Sequence, residues 1–245
     1  MKSLRRSHRL LGVVAGSVLL GAGIGLMKWT STASAGISPA VVSQVNNMKA
    51  LMDSQAIRQV DGVSGTYQLV GLGGNHSTVS FAVRYGSNPA AWVRSSGTRD
   101  VESRFSAGKM EDIDHDTKRF EIHNVAKGGI YTGVMGQYLI PNQYADTFLD
   151  PSLVTQVQST TYLGRNATEF QGNTPDFMQM PTKGGEVRFD LVVDNQTGMI
   201  LKFATYHADG SVAESATAEQ LQFNGAFDVS KAEVAPVAAY TDASS

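Results

Sequence analysis

Asp112, Asp114 and Asp116 stand at alternate positions in DIDHD, the spacing with which a calcium-binding loop begins. Such a loop needs glycine at its sixth position for a sharp turn and glutamate at its twelfth to grip the ion from two sides. Here those positions hold Thr117 and His123. The run therefore reads as a polar hairpin turning at Asp116-Thr117. Ser106 to Lys109, SAGK, matches the S-x-x-K of a serine nucleophile beside a lysine, but no S-D-N or K-T-G accompanies it. GLGGNH, from Gly71 to His76, lacks the last small residue of the dinucleotide fingerprint and leads into no helix. His76, His115, His123 and His207 show no ligand spacing such as H-E-x-x-H. Asn75, Asn166 and Asn195 head N-x-S/T sequons, which carry glycans only in a host that attaches them. The residues call for no metal and no cofactor. Carboxylates are plentiful, however, and spacing along the chain leaves a hydrolytic pair open.

The composition narrows the field further. The chain has 245 residues, a formal charge of -2, 17% charged residues and no cysteine. No disulfide framework, thiolate metal site or acylated N-terminal cysteine is available, and no basic stripe offers itself to nucleic acid. Lys2, Arg5, Arg6 and Arg9 precede an apolar run from Leu10 to Met27, and Ala33-Ser34-Ala35 then supplies a small-x-small cleavage pattern before Gly36. Residues 1–35 are thus a cleaved export signal or an uncleaved membrane anchor. Either way the positive flank stays inside, and the rest is expected outside the cytoplasm.

The elements that follow are easier to place. Ser38 and Pro39 suit the cap and first turn of a helix, and Val41, Val45, Met48 and Met52 recur at helical spacing. From Val63 to His123 the period changes to two. Val79, Phe81, Val83 and Tyr85 share one face, and a series of short strands with turn signals indicates a meandering antiparallel sheet. Two short helices are expected near Pro141 and Pro151, the second capped by Asp150. Strands then resume. Val187, Phe189, Leu191 and Val193 make a dry face opposite Glu186, Arg188 and Asp190, and Met199, Leu201 and Phe203 continue it after an Asn195–Gly198 turn. The next strand, SVAESATAEQLQF, is small on both faces, which admits either a closely packed helix or a ligand. Residues 36–234 read as one domain, and the small, polar residues 235–245 as a disordered tail.

The closing strands carry a resemblance. Asp194, Thr197-Gly198, Leu201-Lys202, Tyr206, Asp209-Gly210 and Phe223-Asn224 are similar to the pattern that ends the LolA/LolB lipoprotein-carrier and RseB/MucB sigma-regulatory superfamily. RFSAGKMEDIDHDTKRFEI also resembles that superfamily's middle hairpin, and the likeness runs from about Ser38 to Val234. It implies an α+β fold: an antiparallel sheet curled into an incomplete, half-open β-barrel, with helices plugging its concave side. It further implies a non-enzymatic exported protein whose cavity holds an acyl chain, lipoprotein or similar lipid. At roughly 0.8 kcal/mol per buried CH₂, a long chain would gain on the order of 10 kcal/mol before the costs of binding. The expected sheet-side lining is Val79, Phe81, Val83, Phe189, Leu191, Val193, Leu201 and Phe203, with Met48, Met52 and Tyr144 from the helices. Each of these, taken alone, is a core residue before it is a pocket residue. Two rivals stand beside the carrier: a regulatory module binding a membrane anti-sigma factor or other protein partner, and an exported hydrolase.

Overall fold

The computed structural model describes residues 38–71, 74–180 and 185–244. The expected export signal or anchor lies outside the described residues, and among those described no helix is long and apolar enough to cross a membrane. Helix α1 spans Pro39–Asp53, with the Ser38 hydroxyl accepting from the Ala40 amide at 3.3 Å and Pro39 in the first turn. Its stripe buries Val45, Met48 and Met52.

A short 3-10 turn leads into the strands β1 (Gly62–Gly71), β2 (Asn75–Arg84), β3 (Ala90–Gly97), β4 (Val101–Ser106), β5 (Lys109–Asp114) and β6 (Arg119–Asn124). Helices α2 (Gly136–Leu139) and α3 (Asn142–Phe148) follow, then β7 (Val154–Tyr162), β8 (Arg165–Asn173), a single turn α4 (Asp176–Gln179), β9 (Glu186–Asp194), β10 (Ile200–His207) and β11 (Val212–Phe223). The helix expected at Pro151 is absent. Asp150 accepts from the Ser152 amide and hydroxyl, both at 2.7 Å, and so closes a turn. Only two residues separate Pro151 from the β-branched run of β7, too few for a helix.

With a last short strand, β12 (Thr241–Asp242), all the strands join one twelve-stranded sheet in the order β12-β6-β5-β4-β3-β2-β1-β11-β10-β9-β8-β7. This overturns the half-open barrel. The order is a single line with β7 at one edge and β12 at the other, and the sheet is neither closed nor strongly curled into a barrel. It is also mixed, since β12 runs parallel to β6 while the other pairings are antiparallel. Alternation along a strand fixes which face is dry. It says nothing of the tilt and shear that closure demands. β12 lies within the stretch read as a polar tail.

The turn at Asn195–Gly198 is where the sheet meets α1. Gly198 has φ +71°, and a Cβ there would sit 3.1 Å from the Met52 Cα. Gly198→Ala is expected to cost about 1–2 kcal/mol from the left-handed backbone alone, with more for displacing α1. The check is a lower denaturant midpoint at an unchanged slope.

Candidate functional site

The core lies on the face of the sheet that the helices cover. Val79, Phe81, Val83, Phe189, Leu191, Val193, Phe203, Met48 and Met52 belong to one buried cluster, and half-buried Tyr144 packs against it. Leu201 is separated from them. It joins Ala167 and Val192 in a second, small cluster, because the β9–β10 register slips between Ile200 and Lys202. A bulge of this kind adds one residue and sends the next side chain to the other face.

Aromatic rings pack closely within this cluster. Tyr144 lies 4.7 Å from Phe203 edge-on, Phe148 lies 5.0 Å from Phe189 and 5.1 Å from Phe203, and Tyr67 stacks on Tyr138 at 5.7 Å. The Tyr67 hydroxyl donates to the Ile200 carbonyl at 2.5 Å, so even the polar tip is satisfied inside. The small residues of β11 are explained here. Ala216 and Ala218 face the cluster opposite Leu69 and Tyr67 of β1, and the larger partners occupy the room they leave. Of the expected lining, Met48 borders a shallow surface cleft beside Thr168 and Asn195, and Val83 borders a small one beside Arg84 and Phe227.

A cleft of about 460 Å³ lies elsewhere, over β4–β6. Tyr131, Gly133 and Val134 form one wall, with Val134 42% exposed. Gly133 permits this approach: its φ is +49°, and a Cβ would meet the Ser103 Oγ at 2.8 Å. Val101 and Val134 give the cleft apolar surface, while Arg99, Arg119, Asp114 and Glu121 charge its rim. The acids are already engaged. Asp112 accepts from the Ser103 hydroxyl at 2.6 Å and from the Tyr131 hydroxyl at 2.9 and 2.8 Å. Burial, and then the Asp112 charge, push the Tyr131 phenol up to about 12. Asp114 accepts from the Thr117 amide at 2.9 Å and pairs with Arg99 at 2.5 Å, and these donors hold its carboxyl below the ordinary value. Among the described residues no group of three or more His, Asp or Glu is placed to hold a metal ion.

No family model matches the chain, and no curated protein does. Among solved structures, a chain from the complex of MucA with MucB of Pseudomonas aeruginosa superposes with a TM-score of 0.50 at 17% identity, over 80% of this chain and 61% of that one. The two share a fold. This chain thus spans less than two thirds of that relative. An uncharacterized conserved protein from Thermus thermophilus matches with a TM-score of 0.48 at 7% identity, covering 80% of this chain and 98% of that chain. LprF from Mycobacterium bovis matches with a TM-score of 0.40 at 12% identity, over 80% and 98%.

Spacing alone did not point to this cleft. Its residues come from the polar DIDHD hairpin and from the irregular GGIYTGV segment, and only the tertiary fold lays one against the other. The one available signal was an apolar Val134 in a stretch with no period to bury it.

Proposed function

We infer that the chain is a non-catalytic, exported binding module that engages an extended segment of a protein partner, as a regulator at the outer face of the membrane. The observation that carries this reading is the contrast between the two faces of the problem. All but Leu201 of the residues expected to line a lipid hollow pack in one cluster with Phe148, whereas the open cleft over β4–β6 is peptide-sized and amphipathic. An acyl chain needs a deep apolar surface and no charges. A peptide gains from apolar contacts ringed by charged groups that set its register. The shared fold with a chain from the MucA/MucB complex fits a protein partner, and the basic, apolar N-terminus fits export.

Val134 gives the test. Burying it under a partner is worth about 1.5 kcal/mol, close to a factor of ten in affinity. Val134→Glu should therefore weaken binding at least tenfold while leaving thermal stability unchanged. Residues 38–245 carrying an affinity tag would be incubated with detergent-solubilised host membranes, and the proteins retained by wild type but lost by the variant identified by mass spectrometry. A fluorescent fatty acid titrated into the same preparation should show no saturable uptake. Saturable uptake, together with an identical set of retained proteins for both chains, would return the carrier reading.

A further inference from the structure

The opposite face of the sheet carries an unexpected cover. Trp92, Arg104 and Glu111 stand in register across β3, β4 and β5, as do Glu102, Ile113 and Phe120 across β4, β5 and β6. Glu111, Ile113 and Phe120 are all buried. What buries them is the segment 226–244. Ala232 is fully buried in its 3-10 turn, the Lys231 ammonium sits 4.7 Å from the centre of the Trp92 ring, and the Tyr240 hydroxyl meets His115 Nδ1 at 3.0 Å. The other nitrogen of His115 lies 3.1 Å from Glu102. At the edge, the Thr241 and Ala243 amides donate to the carbonyls of Lys118 and Phe120, each at 2.9 Å, and the Ile122 amide donates to the Ser244 hydroxyl at 2.7 Å.

This attachment is weak where it matters. β12 pairs with Arg119 and Phe120 only, in the parallel sense, which is slightly the less stable of the two. The Glu111 side chain is 0% exposed, one of its oxygens has no partner, and its nearest cation, Arg104, stands at 3.5 Å. A buried, half-satisfied carboxylate is costly. The covering segment brings it the Ala235 backbone amide but no cation, since Lys231 is spent on Trp92.

We propose that residues 226–244 are a displaceable strap occupying, in cis, a strand-docking edge at β6, and that the competitor fitting this edge is an extended protein segment with a Lys or Arg to meet Glu111. Such a strand would continue the sheet by main-chain pairing along β6, where the strap pairs two residues. The edge adjoins the cleft, since Arg119 and Phe120 border both, but the cleft's Ser103–Asp112–Tyr131 group takes no part in the proposal.

Thr241→Pro in the full chain removes the amide that donates to Lys118 and changes an exposed residue only. Amide exchange should quicken at least tenfold at Ile122 and Ala243 and stay unchanged in β9 and β10. A labelled synthetic peptide of residues 232–245 should bind this variant saturably and wild type not at all, because the cis strap competes at an effective concentration in the millimolar range. In a lysine scan of that peptide, at least one member should bind tenfold more tightly, and the gain should vanish in Glu111→Gln. Exchange that quickens throughout the sheet would make the strap an integral part of the fold and end the proposal. So would peptide binding that fails with Thr241→Pro. A lysine scan with no gain would overturn the cationic partner.

Discussion

Replacing Asp194 by alanine is expected to lower the unfolding free energy by about 3–5 kcal/mol, the cost of stripping one partner from a buried ion pair. Asp194 is 1% exposed and accepts from Arg165 Nε at 2.5 Å and Nη2 at 3.1 Å, and from the Thr197 amide and hydroxyl, each at 2.8 Å. The Gln196 amide adds a further bond at 3.1 Å. One carboxylate therefore closes the β9–β10 turn and anchors the β7–β8 hairpin, whose Arg165 guanidinium also covers the Phe223 ring at 3.8 Å. Asp194→Asn keeps the shape without the charge and should fall between wild type and alanine. Burial opposes ionisation here, but the donors from Arg165 and Thr197 outweigh it and hold the carboxyl below the usual aspartate range. A depressed folded value contributes stability that is fully present above the unfolded value, about 3.9. It is lost as pH falls from there through the folded value. Glu111 and Glu214 act in the opposite sense, since burial raises both, so acid favours the fold at those sites. The difference between wild type and Asp194→Asn isolates the one carboxylate. Their denaturation midpoints should converge as pH drops below about 4; a constant gap down to about pH 2 would show that charge is not what the pair contributes.

The same region explains what the residue pattern could and could not disclose. Period-two alternation placed Phe189, Leu191 and Val193 on the dry face, and helical spacing placed Val45, Met48 and Met52 on the buried side of α1. Both are local consequences of backbone geometry. Leu201 and Glu186 escaped because each lies at a register slip. The slip near Ile200 turns Leu201 to the other face, and the one opposite Tyr206-His207 accompanies a Glu186 only 2% exposed, although alternation groups it with Arg188 and Asp190 on the wet face. A bulge leaves hydrophobicity along the strand unchanged, so no count of apolar positions reveals it. Residues 235–244 escaped for another reason. Small side chains look unfoldable by composition, yet backbone amides at Thr241 and Ala243 suffice to pair with an open edge. The cleft over β4–β6 depends on Gly133 laying one loop against a strand remote in sequence, which is tertiary information. The barrel expectation came from family likeness alone and had no residue of its own to support it.

Phe203 decides between a packed interior and a ligand hollow. Phe203→Ala is expected to destabilise the chain by about 3–5 kcal/mol, the range for deleting a buried aromatic side chain. Phe203 is 1% exposed and touches the rings of Tyr144 and Phe148, which stand on α3. Removing it therefore costs the sheet-to-helix contact as well as the transfer energy of the ring. A side chain lining an empty hollow would behave differently. Its truncation would enlarge the hollow and alter ligand uptake, but would cost little stability because few atoms packed against it. Phe203→Leu separates the two further: it retains most of the contact and should lose about 1.5 kcal/mol or less, as volume-conserving swaps do. The alanine variant also creates a dry, apolar void walled by Tyr144, Phe148 and Phe189. Such voids take up small aromatic molecules. Benzene should raise the melting temperature of Phe203→Ala and leave wild type unmoved. A loss under about 1 kcal/mol in the alanine variant, or benzene binding by wild type, would mean that room already exists beside this ring, and the lipid-carrier reading would regain its footing.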